Sequence, residues 1–320
     1  MNERPNVVAV TGSSGYIGSR LLQELENQEE LGKVVALDLN PLTSPVHNIN
    51  AHRIDLTKPF DDIFRDHHVN TVVHLAHILR PGRNRAEILN IHGANLAALR
   101  NVLKASQNGR IKHFVYLSSH TVYGAYKDNP IPITETVKPR PMANFQYSHE
   151  KGLCEELVQE FAAANPSTMV TVLRSSIVMG PTANNYVTRA LFKRILLGVS
   201  GYNPPLQFVH EDDMARLLCT LVLNPQSGIF NVAGDRTVTY SELARIARRK
   251  LLKLPAAISY PIIQLAWKMG IQKESPAVGL DFIRYPILLS TGKLKNATGF
   301  RFRYTSEDTL NAFVATNTGE

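Results

Sequence analysis

Thr11-Gly12-Ser13-Ser14-Gly15-Tyr16-Ile17-Gly18 follows directly on the apolar run Val7-Val8-Ala9-Val10 and opens the amphipathic stretch Ile17 to Asn27. Glycines at positions 12, 15 and 18 permit a tight strand-to-helix turn and a close approach of backbone to a ligand. Free N–H groups at the start of the helix then hold a pyrophosphate, so the stretch reads as the phosphate-binding turn of a dinucleotide site. The competing reading is a glycine-rich turn that serves packing alone.

Asp38 ends the next β-branched run, 20 residues beyond Gly18. An acidic side chain there accepts hydrogen bonds from the ribose hydroxyls of an adenosine and repels a 2′-phosphate. The following Leu39 and Asn40 supply no arginine to offset that repulsion, which points to NAD rather than NADP. A turn-forming aspartate at a strand end is the plainer alternative.

Outward from this unit, short β-branched runs alternate with longer amphipathic stretches. Strands are expected at Val7 to Val10, Val34 to Asp38, His52 to Asp55, Thr71 to Leu75, His113 to Ser118 and Met169 to Arg174, with helices at Ile17 to Asn27, Ile88 to Ser106 and Tyr147 to Ala164. The pattern predicts an α/β fold with a Rossmann-type doubly wound parallel sheet over residues 1–180. After Pro181 the rhythm changes to helix-like segments at Tyr186 to Leu197, Asp212 to Leu223 and Ser241 to Leu252, separated by Pro- and Gly-containing connections. Residues 181–320 are therefore expected to form a smaller, mostly helical substrate-binding region packed on the first, with some segments returning to the sheet.

Composition narrows the class. The chain has 320 residues, 44% hydrophobic and 19% charged, and no apolar run long enough to span a bilayer. Met1 to Pro5 leads almost at once into a strand and leaves no room for a cleavable leader, which favours the cytoplasm. Cys154 and Cys219 make no disulfide framework and read as core. The formal net charge is +8, with its densest cluster at Arg245, Arg248, Arg249, Lys250 and Lys253, spaced as a solvated helix face. Base-reading motifs and interleaved aromatics are lacking, so no nucleic-acid partner is expected, and with no spanning apolar run no membrane partner is expected either. His67, His68, His74 and His77 lack carboxylate or cysteine partners at ligand spacing, and no metal is expected.

Tyr147-Ser148-His149-Glu150-Lys151 sets a phenol and an ammonium four residues apart on one helix face. A phenol ionises near pH ~10, so it becomes a useful proton acceptor at neutral pH only beside a cation. Lys151 supplies one. Ser119 lies just past the carboxyl end of the strand ending at Ser118, where open α/β sheets bind ligands, and its hydroxyl suits the reacting oxygen of a substrate. Thr121 and Tyr123 follow it and either shape the substrate pocket or pack as strand-end core.

Taken together these residues resemble an extended short-chain dehydrogenase/reductase of the NAD-dependent epimerase/dehydratase family. The likeness runs nearly the whole chain: Gly12, Gly15 and Gly18; Asp38; Asp55-Leu56; His74-Leu75-Ala76; Ser118-Ser119 to Tyr123-Gly124; Tyr147 with Lys151; Leu173-Arg174 to Gly180-Pro181; Phe208 to Asp213; and Ser290 to Tyr304. The resemblance implies that Gly12, Ser14, Gly15, Tyr16, Ile17, Gly18, Asp38, Leu75 and Ala76 bind NAD and that Asp55 and Leu56 flank its adenine. It also implies that Tyr147 and Lys151 lie at the cofactor with Lys151 holding the nicotinamide ribose, that Ser119, Tyr147 and Lys151 are catalytic, and that the protein forms a homodimer through Ile88 to Ser106 and Tyr147 to Ala164; Thr121, Tyr123 and Arg174 are the residues expected to border the substrate.

The departures bear on the substrate. Asn95 and Asn101 fit the family's helix motif, but Ala98 and Leu99 stand where Gly and Thr are usual. Sugar-nucleotide members carry an Arg-containing segment before the acidic motif, and here Asn203-Pro204-Pro205-Leu206-Gln207 has no arginine to grip a diphosphate. Arg189, Lys193, Arg194 or Arg284 are candidate substitutes, while Ile258 to Trp267 and Ile283 to Leu289 are apolar enough to line a pocket for a more hydrophobic ketone. A nucleotide-sugar epimerase or dehydratase, a reductase of a hydrophobic carbonyl and a non-catalytic NAD sensor all remain compatible with the residues. The Asp38 reading is checked by parallel titrations: NAD is expected to bind roughly tenfold or more tightly than NADP.

Overall fold

The protein is described here by a computed structural model covering residues 6–42, 49–80, 82, 84–191 and 193–317. The lead-in Met1 to Pro5 lies outside them. In chain order the first half runs β1 (Asn6–Thr11), α1 (Tyr16–Glu26), β2 (Leu31–Asp38), β3 (Ile49–Arg53), α2 (Asp61–Asp66), β4 (Thr71–His74), α3 (Arg85–Gly109), β5 (His113–Ser119), a 3-10 turn (His120–Tyr123), α4 (Gln146–Ala164) and β6 (Met169–Ser175). The second half runs β7 (Ile177–Met179), α5 (Tyr186–Leu191), β8 (Ile195–Val199), β9 (Pro205–Leu206), β10 (Phe208–His210), α6 (Glu211–Leu223), β11 (Gly228–Val232), β12 (Val238–Thr239), α7 (Tyr240–Ile246), β13 (Lys250–Leu254), α8 (Ala256–Lys268), a 3-10 turn (Ala277–Ile283), α9 (Gly292–Thr298) and α10 (Ser306–Asn317).

The described residues form a seven-stranded sheet in the order β11-β6-β5-β4-β1-β2-β3, parallel throughout. The inner strands β1, β4, β5 and β6 are almost wholly buried because both faces of the sheet are covered, while the edge strand β3 is partly exposed. One face packs Val7, Ala9, Val72, Phe114 and Val172 against Leu99, Val102 and Leu103 of α3 and Val158 and Phe161 of α4. The other packs Val8, Val10, Val73, Val115 and Leu173 against Leu21, Leu22 and Leu25 of α1 and Met214, Leu217, Leu218 and Leu221 of α6. The expected α/β architecture is present, and β11 is a segment after Pro181 that returns to the sheet, beside β6.

Three expected elements are corrected. The third strand lies at Ile49–Arg53 instead of His52 to Asp55, because its register against β2 pairs Val34 with Ile49 and Asp38 with Arg53. The helix expected over Tyr186 to Leu197 stops at Leu191, Phe192 falls outside the described residues, and Ile195–Val199 is a strand. The helix expected over Ser241 to Leu252 stops at Ile246, Arg248 takes a left-handed φ of 51°, and Lys250–Leu254 is the parallel partner of β8. Both segments are rich in leucine and suit helix or strand locally; pairing between chain positions far apart decides for strand. The basic cluster from Arg245 to Lys253 therefore straddles a helix end and a strand.

Glu155 of α4 and Arg174 of β6 form a buried ion pair at 2.8 Å, with side chains only 2% and 1% exposed. Arg174 also donates to the Tyr123 hydroxyl at 3.0 Å, and Tyr123 donates to Asn231 of β11 at 2.8 Å. Ser118 of β5 donates to the same Glu155 carboxylate at 2.5 Å. One carboxylate thus ties α4 to two central strands. Deleting one partner of such a pair leaves an uncompensated charge in the core. Arg174→Met alone is expected to cost about 3–5 kcal/mol in urea unfolding, and adding Glu155→Leu is expected to recover most of that loss.

Candidate active site

The turn after β1 is built for close approach. Gly12 has φ +70°, and a Cβ on it would lie 2.7 Å from the Ala76 nitrogen; a Cβ on Gly18 would lie 2.1 Å from the Gly12 carbonyl oxygen. The Gly12 amide donates to the Leu37 carbonyl at 2.9 Å, and the Ser14 amide to the Asp38 carboxylate at 3.0 Å, which bolts the turn to the end of β2. Asp38 also accepts from the Asn40 amide at 2.9 Å. Gly15, the N-cap of α1, offers no side chain to its first turn, so those N–H groups are left for a ligand. The Ser13 hydroxyl is buried with no partner in the same turn. These features fit a dinucleotide pyrophosphate.

Gly12, Gly15, Tyr16, Ile17, Gly18 and Leu75 line one end of a cleft of about 590 Å³, a size suited to small-molecule ligands. Ser119, Thr121, Tyr147 and Lys151 line the same cleft further on. Asp55 lies outside this lining, its carboxylate taken by the Thr57 hydroxyl and amide, while Leu56 is buried in the core beside Asn101, which donates to its carbonyl. Tyr123 and Arg174 do not reach the cleft. Each is 1% exposed: Arg174 is engaged with Glu155 and the Tyr123 hydroxyl, and Tyr123 with Asn231, so both lie in the core among the strands rather than along this lining.

Tyr147 and Lys151 stand one turn apart near the start of α4, with the Lys151 ammonium 5.9 Å from the Tyr147 ring centre. Lys151 donates to the Leu117 carbonyl at 2.8 Å and sits 4.9 Å from the Tyr116 ring centre. Burial pulls the ammonium down to about 8. Burial also pushes the Tyr147 phenol up to about 12, against a hydrogen bond with Ser119 that lowers it. Ser119 itself accepts from the Thr121 hydroxyl at 3.0 Å and the Thr121 amide at 3.2 Å. The three groups singled out for catalysis therefore converge.

Two neighbours were not singled out as functional. His77 sets its ring edge-on to Tyr147, centroids 5.6 Å apart, and its Nε2 lies 3.7 Å from Glu150. Burial, with the Lys151 charge beside it, holds His77 well below its usual range and therefore neutral. Glu150 is 2% exposed and accepts from Asn95 at 2.9 Å and Gln146 at 2.8 Å. Its place three residues after Tyr147 on a helix was the available signal. His74, also buried, is pulled down to about 3 and bonds Thr11 at 2.8 Å. Among the described residues no group of three or more His, Cys, Asp or Glu is arranged to hold a metal ion.

On the far side of the turn, the Tyr16 hydroxyl donates to Glu211 at 2.5 Å, and Arg20 pairs with the same carboxylate at 2.6 Å. Thr182 donates to it as well at 2.9 Å. Glu211 so joins α1, the loop after β7 and the acidic start of α6.

A model of the NAD dependent epimerase/dehydratase family matches residues 8–233. An uncharacterized protein of Mycobacterium tuberculosis is 24% identical over 319 residues, covering 97% of this chain and 83% of its own length. A UDP-glucose 4-epimerase of Dictyostelium discoideum is 28% identical over 242 residues, covering 65% of this chain and 69% of its own. Among solved structures, MoeE5 in complex with UDP-glucuronic acid and NAD aligns with a TM-score of 0.75 at 22% identity, covering 98% of this chain and 99% of that one. The UDP-glucose 4-epimerase of Thermus thermophilus in complex with NAD aligns with a TM-score of 0.74 at 21% identity over the same shares.

Lys151 gives a pH test. Its ammonium is held down from 10.5 to about 8 in the folded chain, so between those values the unfolded chain binds more protons and stability rises with pH. Relative to Lys151→Met, the native protein is expected to gain on the order of 3 kcal/mol from pH ~8 to ~10.5, read from urea unfolding across that window.

Proposed function

Because the chain belongs to the NAD-dependent epimerase/dehydratase family, we propose that it carries out NAD-dependent oxidoreduction at a secondary alcohol or ketone carbon, of the kind performed by nucleotide-sugar epimerases and dehydratases. The observation that carries the reading is the convergence of Ser119, Tyr147 and Lys151 on the cleft that the Gly12 to Gly18 turn also lines. In this reading Gly12, Ser14, Gly15, Tyr16, Ile17, Gly18, Leu75 and Ala76 hold the cofactor, Asp38 takes its adenosine ribose, and Asp55 and Leu56 flank the adenine. NAD, when bound, supplies the hydride acceptor and donor. Residues 1–180 bind it and residues 181–320 cover the substrate; a homodimer packed through α3 and α4 and a cytoplasmic site of action belong to the same reading.

The chain's own residues move the proton. Tyr147 exchanges it with the substrate hydroxyl, and Ser119 holds the reacting oxygen. A phenol pushed up by burial does not ionise unaided at neutral pH, so the positive charge of Lys151 is needed to bring the proton transfer within reach. His77, neutral and edge-on to the ring, fixes the phenol's position without adding a competing charge.

One observation favours a second reading, a dehydrogenase or reductase of a more hydrophobic carbonyl compound. A sugar nucleotide's diphosphate calls for arginine or lysine. Of Arg189, Lys193, Arg194 and Arg284, only Lys193 lines the cleft, and it is already paired with Glu274. The substrate end is walled by Val187, Leu191, Leu197, Leu206, Phe282 and Ile283.

Both readings are tested on purified protein by identifying any nucleotide released on denaturation and by titrating UDP-sugars and hydrophobic ketones. Stoichiometric NAD with UDP-sugar binding supports an epimerase or dehydratase that recycles its cofactor. An empty site that exchanges NAD, with no UDP-sugar binding, supports the second reading. In either case Tyr147→Phe is expected to lower kcat by about 10²- to 10⁴-fold while NAD affinity changes by less than about twofold. Unchanged turnover would sink the assignment of Tyr147, and no turnover of any of these substrates in the native protein would leave a cofactor-binding sensor.

A further inference from the structure

From Leu243 to Lys273 the chain carries seven basic residues, Arg245, Arg248, Arg249, Lys250, Lys253, Lys268 and Lys273, and no Asp or Glu, against a formal net charge of +8 for the whole protein. Nearly all the excess positive charge therefore sits in one tenth of the sequence. The same stretch contains α8, whose outward stripe is apolar. Ile258, Ile262, Leu265 and Met269 follow helical spacing and are 48%, 49%, 61% and 64% exposed, and Ile271 just beyond is 70% exposed. Leu252 of β13 and Ile195 of its partner β8 are exposed as well. Single exposed apolar residues are ordinary, but a contiguous stripe marks an interaction surface.

The opposite side of α8 is already used. Ser259 is fully buried, Ile263 lines the substrate end of the cleft, and Gln264 accepts from the Ala277 amide. The helix therefore has an inner face committed to the fold and an outer face of aliphatic side chains rimmed by exposed Lys253, Lys268 and Lys273. Aliphatic side chains beside lysines are what a helix lying in the plane of an anionic bilayer presents: the apolar stripe enters the acyl boundary and the basic rim meets the headgroups.

We propose that the α8 face, with β13 and the end of α7, docks on the surface of a bilayer containing anionic phospholipid. No helix among the described residues is long and apolar enough to cross a membrane, so the attachment is peripheral. A second copy of the chain is the poorer occupant, since an isologous contact would set these like charges against each other. Nucleic acid is poorer too, because it would leave the aliphatic stripe in water. The inference rests on the surface alone and not on the substrate. Its consequence for the enzyme is that the helix lining the cleft through Ile263 is the one that meets the lipid.

The test is co-sedimentation of the full chain with vesicles of phosphatidylcholine alone and of equal parts phosphatidylcholine and phosphatidylglycerol, with and without added salt. Binding to the anionic vesicles only, weakened by salt and lowered about tenfold or more in an Ile262→Glu/Leu265→Glu variant whose melting temperature and NAD affinity match the native protein, is the expected result. A Lys268→Glu/Lys273→Glu variant is expected to lose binding similarly, which separates the charge requirement from the apolar one. Failure to bind anionic vesicles overturns the proposal. So does a dimer on size-exclusion chromatography that the Ile262→Glu/Leu265→Glu variant dissociates, or binding to duplex DNA or RNA that the same variant leaves intact.

Discussion

The Glu155 carboxylate holds the active-site geometry together. It accepts from Ser118 at the end of β5 and from Arg174 on β6, inside a core where an unpaired charge is not tolerated. Glu155 lies one turn beyond Lys151 on the same helix, and Ser118 immediately precedes Ser119. The bond between them therefore sets how α4 sits on the sheet, and with it the meeting of Tyr147 and Lys151 with Ser119. Arg174 is backed in turn by Tyr123, and Tyr123 by Asn231, so the constraint extends across three neighbouring strands.

A second constraint works at the other end of the cleft. Gly12 and Gly18 let β1, α1 and the loop after β4 approach more closely than any side chain allows. Tyr16 and Arg20 then reach from α1 to Glu211, which also accepts from Thr182. The glycine turn and α1 are so connected to the loop after β7 and the start of α6 through one buried carboxylate. The chemistry at the centre depends on this rigidity: a buried phenol pushed up and a buried ammonium pulled down are useful only while their separation is fixed.

Much of this was legible in the sequence because it is local. The turn from Thr11 to Gly18 needs glycine for steric reasons that act within eight residues, and the spacing of Tyr147 and Lys151 is a property of one helix. The alternating pattern of strands and helices over residues 6–175 is equally local, since each element buries its own apolar face. The positions of Asp38 and Ser119 at the ends of β2 and β5 are readable because strand ends fall where β-branched runs stop.

What escaped the sequence depends on partners far along the chain. Arg174 is paired and sealed from water only because the fold brings Glu155 of α4 against β6. Leu-rich segments at 195–199 and 250–254 became strands because each found the other, a pairing across 55 positions that no local propensity encodes. His77 and Glu150 acquired a place beside Tyr147 only when β4 and α4 were brought together. The exposed stripe on α8 follows the same rule: its helical spacing is in the sequence, but which face is covered was decided by what α8 packs on. Sequence determines contacts that close within a few turns or a single strand; burial, and therefore the charge state and role of a side chain, is decided by tertiary structure, because desolvation depends on every element that surrounds it.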